Sequence, residues 1–497
     1  MKYSMLKTAG LVLVMSMTSA LMAAPMFPTD IFPNSDPEEG LLSSGVTDIV
    51  WSLANNGDTL VWIATSEGVS RSGNYGESWV TFTEDDGIGR GGVSGLTAAG
   101  PWVCTATVFD SSLADISGVG GGVSITSNGG QTWLWMPQPI DARGDTTLPH
   151  IDVPTTTPIN SIAYDMTIDL SDSSLWLASF GAGFRRYSFA DSSWENVPPD
   201  AIPFGAYDNL NHRAFSVEAE PNGIWAGSAE GVNFSADHGV SWENFNYSNT
   251  QINGEPQITG NWVVALDAQA LPVGGEAVWV GGWATFGSVG DYYGVSVTRD
   301  QGATWEIVHD LDQLKVYNFA FDGADVYAAC REGLYKSNSN GESGSWSRFP
   351  EIVDRNSGRR ILLGSVYGVC VLNDLLFVGT AEGIAVSTNR GADWEIRHPE
   401  PVKHRFYPNP FSPDVFNEAR LVFDLTHSAT VTVELFDFAM EKVKTICDGR
   451  SFGIGEGWEI YWDGTDLQGD LVANGVYFCS FVVTGQDPVW SKIMVVK

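Results

Sequence analysis

The sequence predicts an all-β chain, a seven-bladed β-propeller followed by an immunoglobulin-like β-sandwich. Three observations predict it. An eight-residue motif ending in tryptophan recurs along most of the chain. Each copy follows the same succession of short apolar runs and tight turns. Almost no segment carries the 3.6-residue period of an amphipathic helix.

The chain opens like a secretory leader. Lys2 and Lys7 supply a positive end, residues 9–24 are apolar, and Ala23 and Ala24 are small enough for cleavage. Residues 1–24 are therefore expected to be a signal peptide and 25–43 a linker. The apolar run is short for a membrane span and no second candidate follows, so no transmembrane segment is expected in the mature chain. No cysteine lies near the cleavage point, which argues against a lipid anchor.

Residues 44–403 carry the repeat. Close copies are "SGNYGESW", "TSNGGQTW", "SADHGVSW", "TRDQGATW" and "STNRGADW", ending at Trp79, Trp133, Trp242, Trp305 and Trp394. Looser copies end at Trp194 and Trp346, and the seven tryptophans stand 41 to 63 residues apart. Around the fourth copy, alternation and turns predict strands at 214–222, 223–228, 232–236 and 242–247. Four strands per unit and seven units make a seven-bladed propeller. The motif then reads as turn chemistry. Its Ser or Thr and its Asp or Asn (Asn74, Asn128, Asp237, Asp300, Asn389) bond backbone N–H groups. Its glycine takes a positive φ, and its tryptophan packs into the blade.

Residues 404–497 read as a sandwich. "YPNPFSP" (407–413) is a proline-rich lead-in, and alternating strands follow with turns at Asp448-Gly449, Asp463-Gly464 and Asn474-Gly475. Of five cysteines, Cys447 and Cys479 fall here and either pair or remain buried thiols. The odd count and wide spacing give no disulfide framework and no zinc pattern.

The formal charge is −34, from 60 acidic and 26 basic residues. A nucleic-acid partner is excluded, because phosphate binding needs a concentrated basic surface. There is no G-x-S-x-G, H-E-x-x-H, P-loop or D-x-D-x-D-G calcium loop. "GIGRGG" (87–92) lacks a strand–helix setting and reads as an inter-blade loop. No metal and no cofactor are expected.

The tryptophan motif resembles the Asp-box of bacterial neuraminidase repeats. Over residues 44 to 400 the chain is similar to the propellers of sialidases, sortilin-type receptors, xyloglucanase-type glycosidases and photosystem II assembly factors. The C-terminal "YPNPF", "YWDGTDLQGD", "VANGVYF" and "KIMVVK" resemble the Ig-like domain of flagellar hook-assembly proteins. They also resemble the C-terminal sorting domain of type IX secretion. The resemblance implies a secreted or surface protein on the extracellular side of an outer membrane, with the secretion machinery as one partner. The R-I-P motif and arginine cluster of sialidases are missing, and a xyloglucanase cleft lies between two propellers where this chain has one.

The candidate site lies on the face that carries the inter-blade loops and the turns between second and third strands. Those turns are only "EG" long in most blades, with Glu67, Glu230, Glu332 and Glu382 as turn formers. Two are expanded, 108–122 and 283–294. Extra length on one face of a repeat array marks a binding face. Asp110, Asp115, Trp283, Phe286, Asp291, Tyr292 and Tyr293 are the candidates there. The expected function is non-catalytic binding of a protein or glycan. The alternatives are a glycoside hydrolase, xyloglucanase-like or sialidase-like, using carboxylates on the same face, and an assembly factor for a surface complex.

Overall fold

The computed structural model describes residues 38–39, 45–109, 118–140, 161–197, 199, 210–271, 274–284, 290–349, 351–356, 360–361, 365–380, 383–399, 404–413, 416, 418–425, 428–484, 486 and 488–497. The expected leader and most of the linker lie outside them. The chain divides into two compact units, Met1–Phe349 with Gly364–Val386, and Pro350–Leu363 with Ser387–Lys497. Among the described residues the only helical turns are three short 3-10 segments, Glu84–Asp86, Leu210–His212 and His309–Leu311.

The first unit is a β-propeller. Each sheet is an antiparallel meander whose strands follow chain order from an inner strand outward. The inner strands of the seven sheets are Val46–Leu53, Gly92–Ala99, Ile162–Asp169, Ala214–Glu220, Trp262–Ala270, Val316–Asp322 and Val366–Leu372. The fourth sheet continues with Gly223–Ser228, Gly231–Ser235 and Glu243–Phe245, close to the strands its alternation predicts. The ring closes where sheet one meets sheet seven: Val46, Ile49 and Trp79 share a core with Cys370, Phe377 and Ile384. Glu38–Glu39, expected in the linker, instead pairs with Val80–Phe82 as an outermost fifth strand of sheet one.

The tryptophan turns are closed by their own side chains. In the fourth sheet Ser235 Oγ donates to Asp237 Oδ1 at 2.9 Å and accepts the Gly239 N–H at 2.7 Å. Asp237 Oδ1 accepts the Ser241 N–H at 2.8 Å, and Ser241 Oγ donates to Oδ2 at 2.6 Å. Thr298, Asp300, Gly302 and Thr304 repeat this pattern, and Asn74, Asn128 and Asn389 accept the equivalent N–H with their amide oxygens. The hydroxyl of Ser241, with the backbone donors, holds the Asp237 carboxyl down at about 2. These acids are committed to their turns.

Four of the motif tryptophans reach across to the preceding sheet rather than packing, as the sequence suggested, within their own blades, while Trp194 does pack within its own, against Tyr187 with centroids 5.1 Å apart. Trp133 stands edge-on to Trp62, Trp242 to Trp176, Trp305 to Trp225 and Trp346 to Trp279, with centroids 5.9 to 6.2 Å apart. The physical reason is location: at the outer edge of a blade, a large ring finds full burial only in the gap between blades. The turn glycine belongs to the same joint. Gly341 has φ +75°, and a Cβ there would lie 2.0 Å from Trp279 Cη2. Gly341→Ala is expected to cost about 2–4 kcal/mol, through backbone strain and overpacking together. Gly323→Ala, at φ +61° with nothing within 4 Å of its Cβ, should cost only about 1 kcal/mol. Thermal melts of the two variants check the difference.

The second unit is a β-sandwich. A sheet of His404–Tyr407, Ala419–Leu425 and Gly455–Trp462 faces one ordered Lys442–Phe452, Ala429–Phe436, Gly475–Val483, Val489–Val495. Leu421, Phe423, Val433, Leu435, Ile460, Trp462 and Phe481 share its core. Cys447 and Cys479 are both buried and unbonded to each other. Their strands flank Ala429–Phe436 on opposite sides, Cys447 opposite Val433 and Cys479 opposite Leu435. The proline-rich lead-in is stitched to the last strand, since Phe411 N–H donates to Met494 O at 2.7 Å and Val496 N–H to Phe411 O at 2.9 Å. This unit also takes in the hairpin Ile352–Val353 with Arg360–Ile361. Asp354 Oδ2 ties that hairpin to the chain near Trp394 by accepting the Ile396 N–H at 2.8 Å.

Candidate functional site

The site starts from one repeated irregularity. Every inner strand of the propeller slips register near its start, between Val46/Asp48, Val93/Gly95, Ala163/Asp165, Ala214/Ser216, Val263/Ala265, Val316/Asn318 and Val366/Gly368. A bulge inserts one residue and re-aims its side chain. The seven inserted residues are Thr47, Ser94, Tyr164, Phe215, Val264, Tyr317 and Tyr367. All seven line the central channel, a cavity of about 980 Å³.

Four of these seven are aromatic, and they join into an arc. Tyr164 contacts Phe215 at 6.1 Å between centroids, and Phe215 contacts Trp262 at 5.5 Å. Trp262 is the register partner of Trp283. Trp283 contacts Tyr317 at 5.8 Å, and Tyr317 contacts Tyr367 at 5.3 Å. Sheets three to seven thus present a nearly continuous aromatic wall, while sheets one and two present the small Thr47 and Ser94. Lys315 lies at its edge, with Nζ 5.1 Å from the Trp283 centroid and 4.3 Å from that of Tyr293.

In three sheets the residue after the bulge knits neighbouring inner strands. Asp165 Oδ2 accepts the Val217 N–H at 2.9 Å, Ser216 Oγ donates to Val263 O at 2.9 Å, and Asn318 Oδ1 accepts the Val369 N–H at 2.9 Å. Two residues further along lie Glu218 and Asp267. Four carboxyls therefore line the channel, those of Asp48, Asp165, Glu218 and Asp267. Water touches them, but the surrounding protein makes desolvation dominant. It raises Asp48 to about 6, Asp267 to about 7 and Asp165 to about 8, and Glu218 well above the usual carboxylate range. Mutual repulsion adds to it: Asp48 raises both Asp165 and Asp267, and Asp267 raises Glu218. Near the opposite end, burial and the neighbouring Glu276 lift Glu220 to about 8.

Of the residues singled out in the sequence, Trp283 lines the channel and Tyr293 packs edge-on against it, at 6.1 Å and 74°. Asp291, Tyr292 and Tyr293 are not among the channel-lining residues. The Tyr292 hydroxyl is taken up with Asp312; burial first, then that acid, push it to about 12. Asp110, Asp115 and Phe286 lie outside the described residues. Two of the "EG" acids bond through their backbones, Glu67 N–H donating to Thr65 Oγ1 and Glu230 N–H to Ser228 Oγ, while the Glu332 carboxylate accepts the Lys315 N–H at 3.4 Å and Glu382 lies outside the described residues. "GIGRGG" is a packed segment rather than a plain loop: Gly89 N–H donates to buried Ser124 Oγ, and Arg90 stacks on Phe109 at 4.6 Å. His238, Asp169 and Asp172 come together on the third and fourth sheets, but Arg186 pairs with Asp172 and His238 with Asp169, so the acids are already matched.

Sequence reasoning missed the bulge aromatics and the channel acids. Seven inner strands share the pattern apolar, variable, small-or-polar, apolar: V-T-D-I, V-S-G-L, A-Y-D-M, A-F-S-V, V-V-A-L, V-Y-N-F and V-Y-G-V. Superposing the repeats on this pattern would have exposed the variable position as a separate ring.

Fold and channel define the chain as a β-propeller protein carrying a C-terminal sandwich. No family model matches the sequence, and no curated protein matches it. Solved structures do resemble it. The GH74 xyloglucanase of Xanthomonas campestris aligns at TM-score 0.50 and 14% identity, over 92% of this chain and 67% of that one. PorZ, a surface component of the type-IX secretion system of Porphyromonas gingivalis, aligns at 0.44 and 15%, over 91% and 60%. YCF48 bound to a D1 peptide aligns at 0.42 and 15%, over 71% and 95%. This chain spans about three fifths of the length of PorZ.

Proposed function

We propose that this chain is an exported, non-catalytic binding module that captures a glycan or an extended peptide at the aromatic mouth of its channel. The observation that carries this reading is the arc from Tyr164 to Tyr367. Exposed aromatic faces converging on a cavity are how proteins hold sugar rings and peptide side chains. Such an arc is not needed to close a blade, because the blade cores are complete without it. The leader-like residues 1–24 and the resemblance of residues 404–497 to a type IX sorting domain support export to the cell surface, with the sandwich serving secretion or attachment.

One observation favours a second reading, glycoside hydrolysis. Asp48 and Asp165 line the same cavity, and burial raises the pKa of both, the setting in which one of a pair of carboxyls can serve as an acid. A glycan array and a reducing-sugar assay on the full chain separate the two. The expected result is binding without turnover, weakened about five- to 150-fold in Trp283→Ala, since losing an aromatic platform costs about 1–3 kcal/mol. Release of reducing sugar, abolished by Asp165→Asn, would overturn the binding reading.

A further inference from the structure

The arc is one wall of a cavity whose chemistry is one-sided. Below it stand the carboxyls of Asp48, Asp165, Glu218 and Asp267, and no Lys, Arg or His is among the described residues that line the cavity. Aromatic faces attract cations through the ring quadrupole. The molecule contains its own instance at the rim, where the Lys315 ammonium lies over Trp283 and Tyr293. An apolar cation finds complementary groups along the whole path, first ring faces and then carboxylates.

The acids are arranged on two levels. Asp48 and Asp165 each directly follow a bulge, while Glu218 and Asp267 lie two residues deeper on their strands. At about 3.3 Å per residue the backbone positions of the two levels are roughly 6.6 Å apart, and the Asp165 carboxyl, bonded to the Val217 N–H, stands between them. Amines separated by four methylenes stand roughly 6 Å apart, the span of five single bonds.

We propose that the channel is a binding site for a slender aliphatic oligocation, whose ammonium groups seat against the aromatic arc and between the two levels of carboxylates. This rests on the reading of the channel mouth as the binding face and names the chemistry that face accepts. Two sources share that chemistry, a free polyamine and the lysine side chains of a peptide. A bound ammonium relieves the repulsion among the acids, so binding near neutral pH releases the protons they hold.

The test is calorimetry on the full chain at pH 7 and low salt, with spermine, tri-lysine and neutral cellotetraose, each in two buffers of different ionisation enthalpy. The expected result is binding of spermine, tri-lysine or both, with buffer-dependent heat showing proton release. Affinity should fall at least about tenfold in Glu218→Gln/Asp267→Asn and stay at the wild-type value in the surface variant Glu243→Gln/Glu441→Gln. The channel variant loses buried charge, so its melting temperature should equal or exceed that of the wild type, which separates lost binding from lost folding. Spermine alone would identify a free polyamine and tri-lysine alone a peptide. No binding of either amine, or equal binding by the channel variant, overturns the proposal. Cellotetraose binding through Trp283 without amine binding would overturn this inference and leave the binding-module reading standing. Silence of all three probes, together with a blank array, would remove both.

Discussion

Trp305→Ala should destabilise the propeller by about 3–5 kcal/mol, the range for removing a buried aromatic side chain from a core. Trp305 is 6% exposed and wedged between sheets, against Trp225 at 6.2 Å and Phe245 at 5.6 Å. Collapse cannot refill the space cheaply, because each neighbour is already fixed within a sheet. Asp300→Ala in the same turn should cost much less, about 1 kcal/mol, because it removes acceptors for Thr304 at a solvated edge. Asp300→Asn should be close to neutral, since Asn74, Asn128 and Asn389 hold the equivalent position. Guanidinium denaturation followed by tryptophan fluorescence measures all three. A Trp305→Ala cost no larger than that of Asp300→Ala would show that the turn, not the inter-blade joint, carries the motif's stability.

That comparison also shows what the sequence could and could not disclose. The turn was legible because its chemistry is local: a hydroxyl, a carboxamide or carboxylate and a glycine close on themselves within eight residues. The strands were legible for the same reason, as in Ala214–Glu220 and Gly223–Ser228. The destination of the tryptophan was not, since Trp133 and Trp62 are joined only by the stacking of one repeat on the next. The candidate site failed in a related way. Loop length drew attention to 283–294 and so reached Trp283, but Tyr164, Phe215, Tyr317 and Tyr367 sit on strands of ordinary length. Their role comes from a bulge, which breaks the alternation that marks a strand. Asp48, Asp165, Glu218 and Asp267 were lost among 60 acidic residues until the ring placed them around one channel.

Those acids make the second large prediction, a propeller that is more stable near pH 5 than near pH 8.5. Their carboxyls have higher pKa values folded than unfolded. Between an unfolded value near 4 and the folded values of about 6, 7 and 8 for Asp48, Asp267 and Asp165, the native state binds more protons than the unfolded chain. Stability then falls as pH rises through that window, at up to roughly 1.4 kcal/mol per pH unit for each group. It levels off about one unit above pH 8, once Asp165 has ionised in the folded state. Below pH 4 the sign reverses. Asp237, held at about 2 chiefly by the Ser241 hydroxyl, loses its bonds on protonation. The stability maximum should therefore lie between about pH 4 and 6. Asp165→Asn distinguishes this from a general charge effect. The amide oxygen still accepts the Val217 N–H, so the strand staple survives while the charge goes, but the Met166 N–H loses its acceptor. The variant should fall about 1 kcal/mol below the wild type at pH 4.5, exceed it by a few kcal/mol at pH 8.5, and show a flatter profile between, as read by calorimetric melts across pH. An amine that binds the channel should do the same to the wild type, raising its melting temperature most where the carboxylates are ionised. A wild-type profile that climbs from pH 5 to 8.5 would mean that the acids are as well solvated in the channel as in the unfolded chain. The channel would then be a water-filled pore rather than a site that holds its charges at a cost.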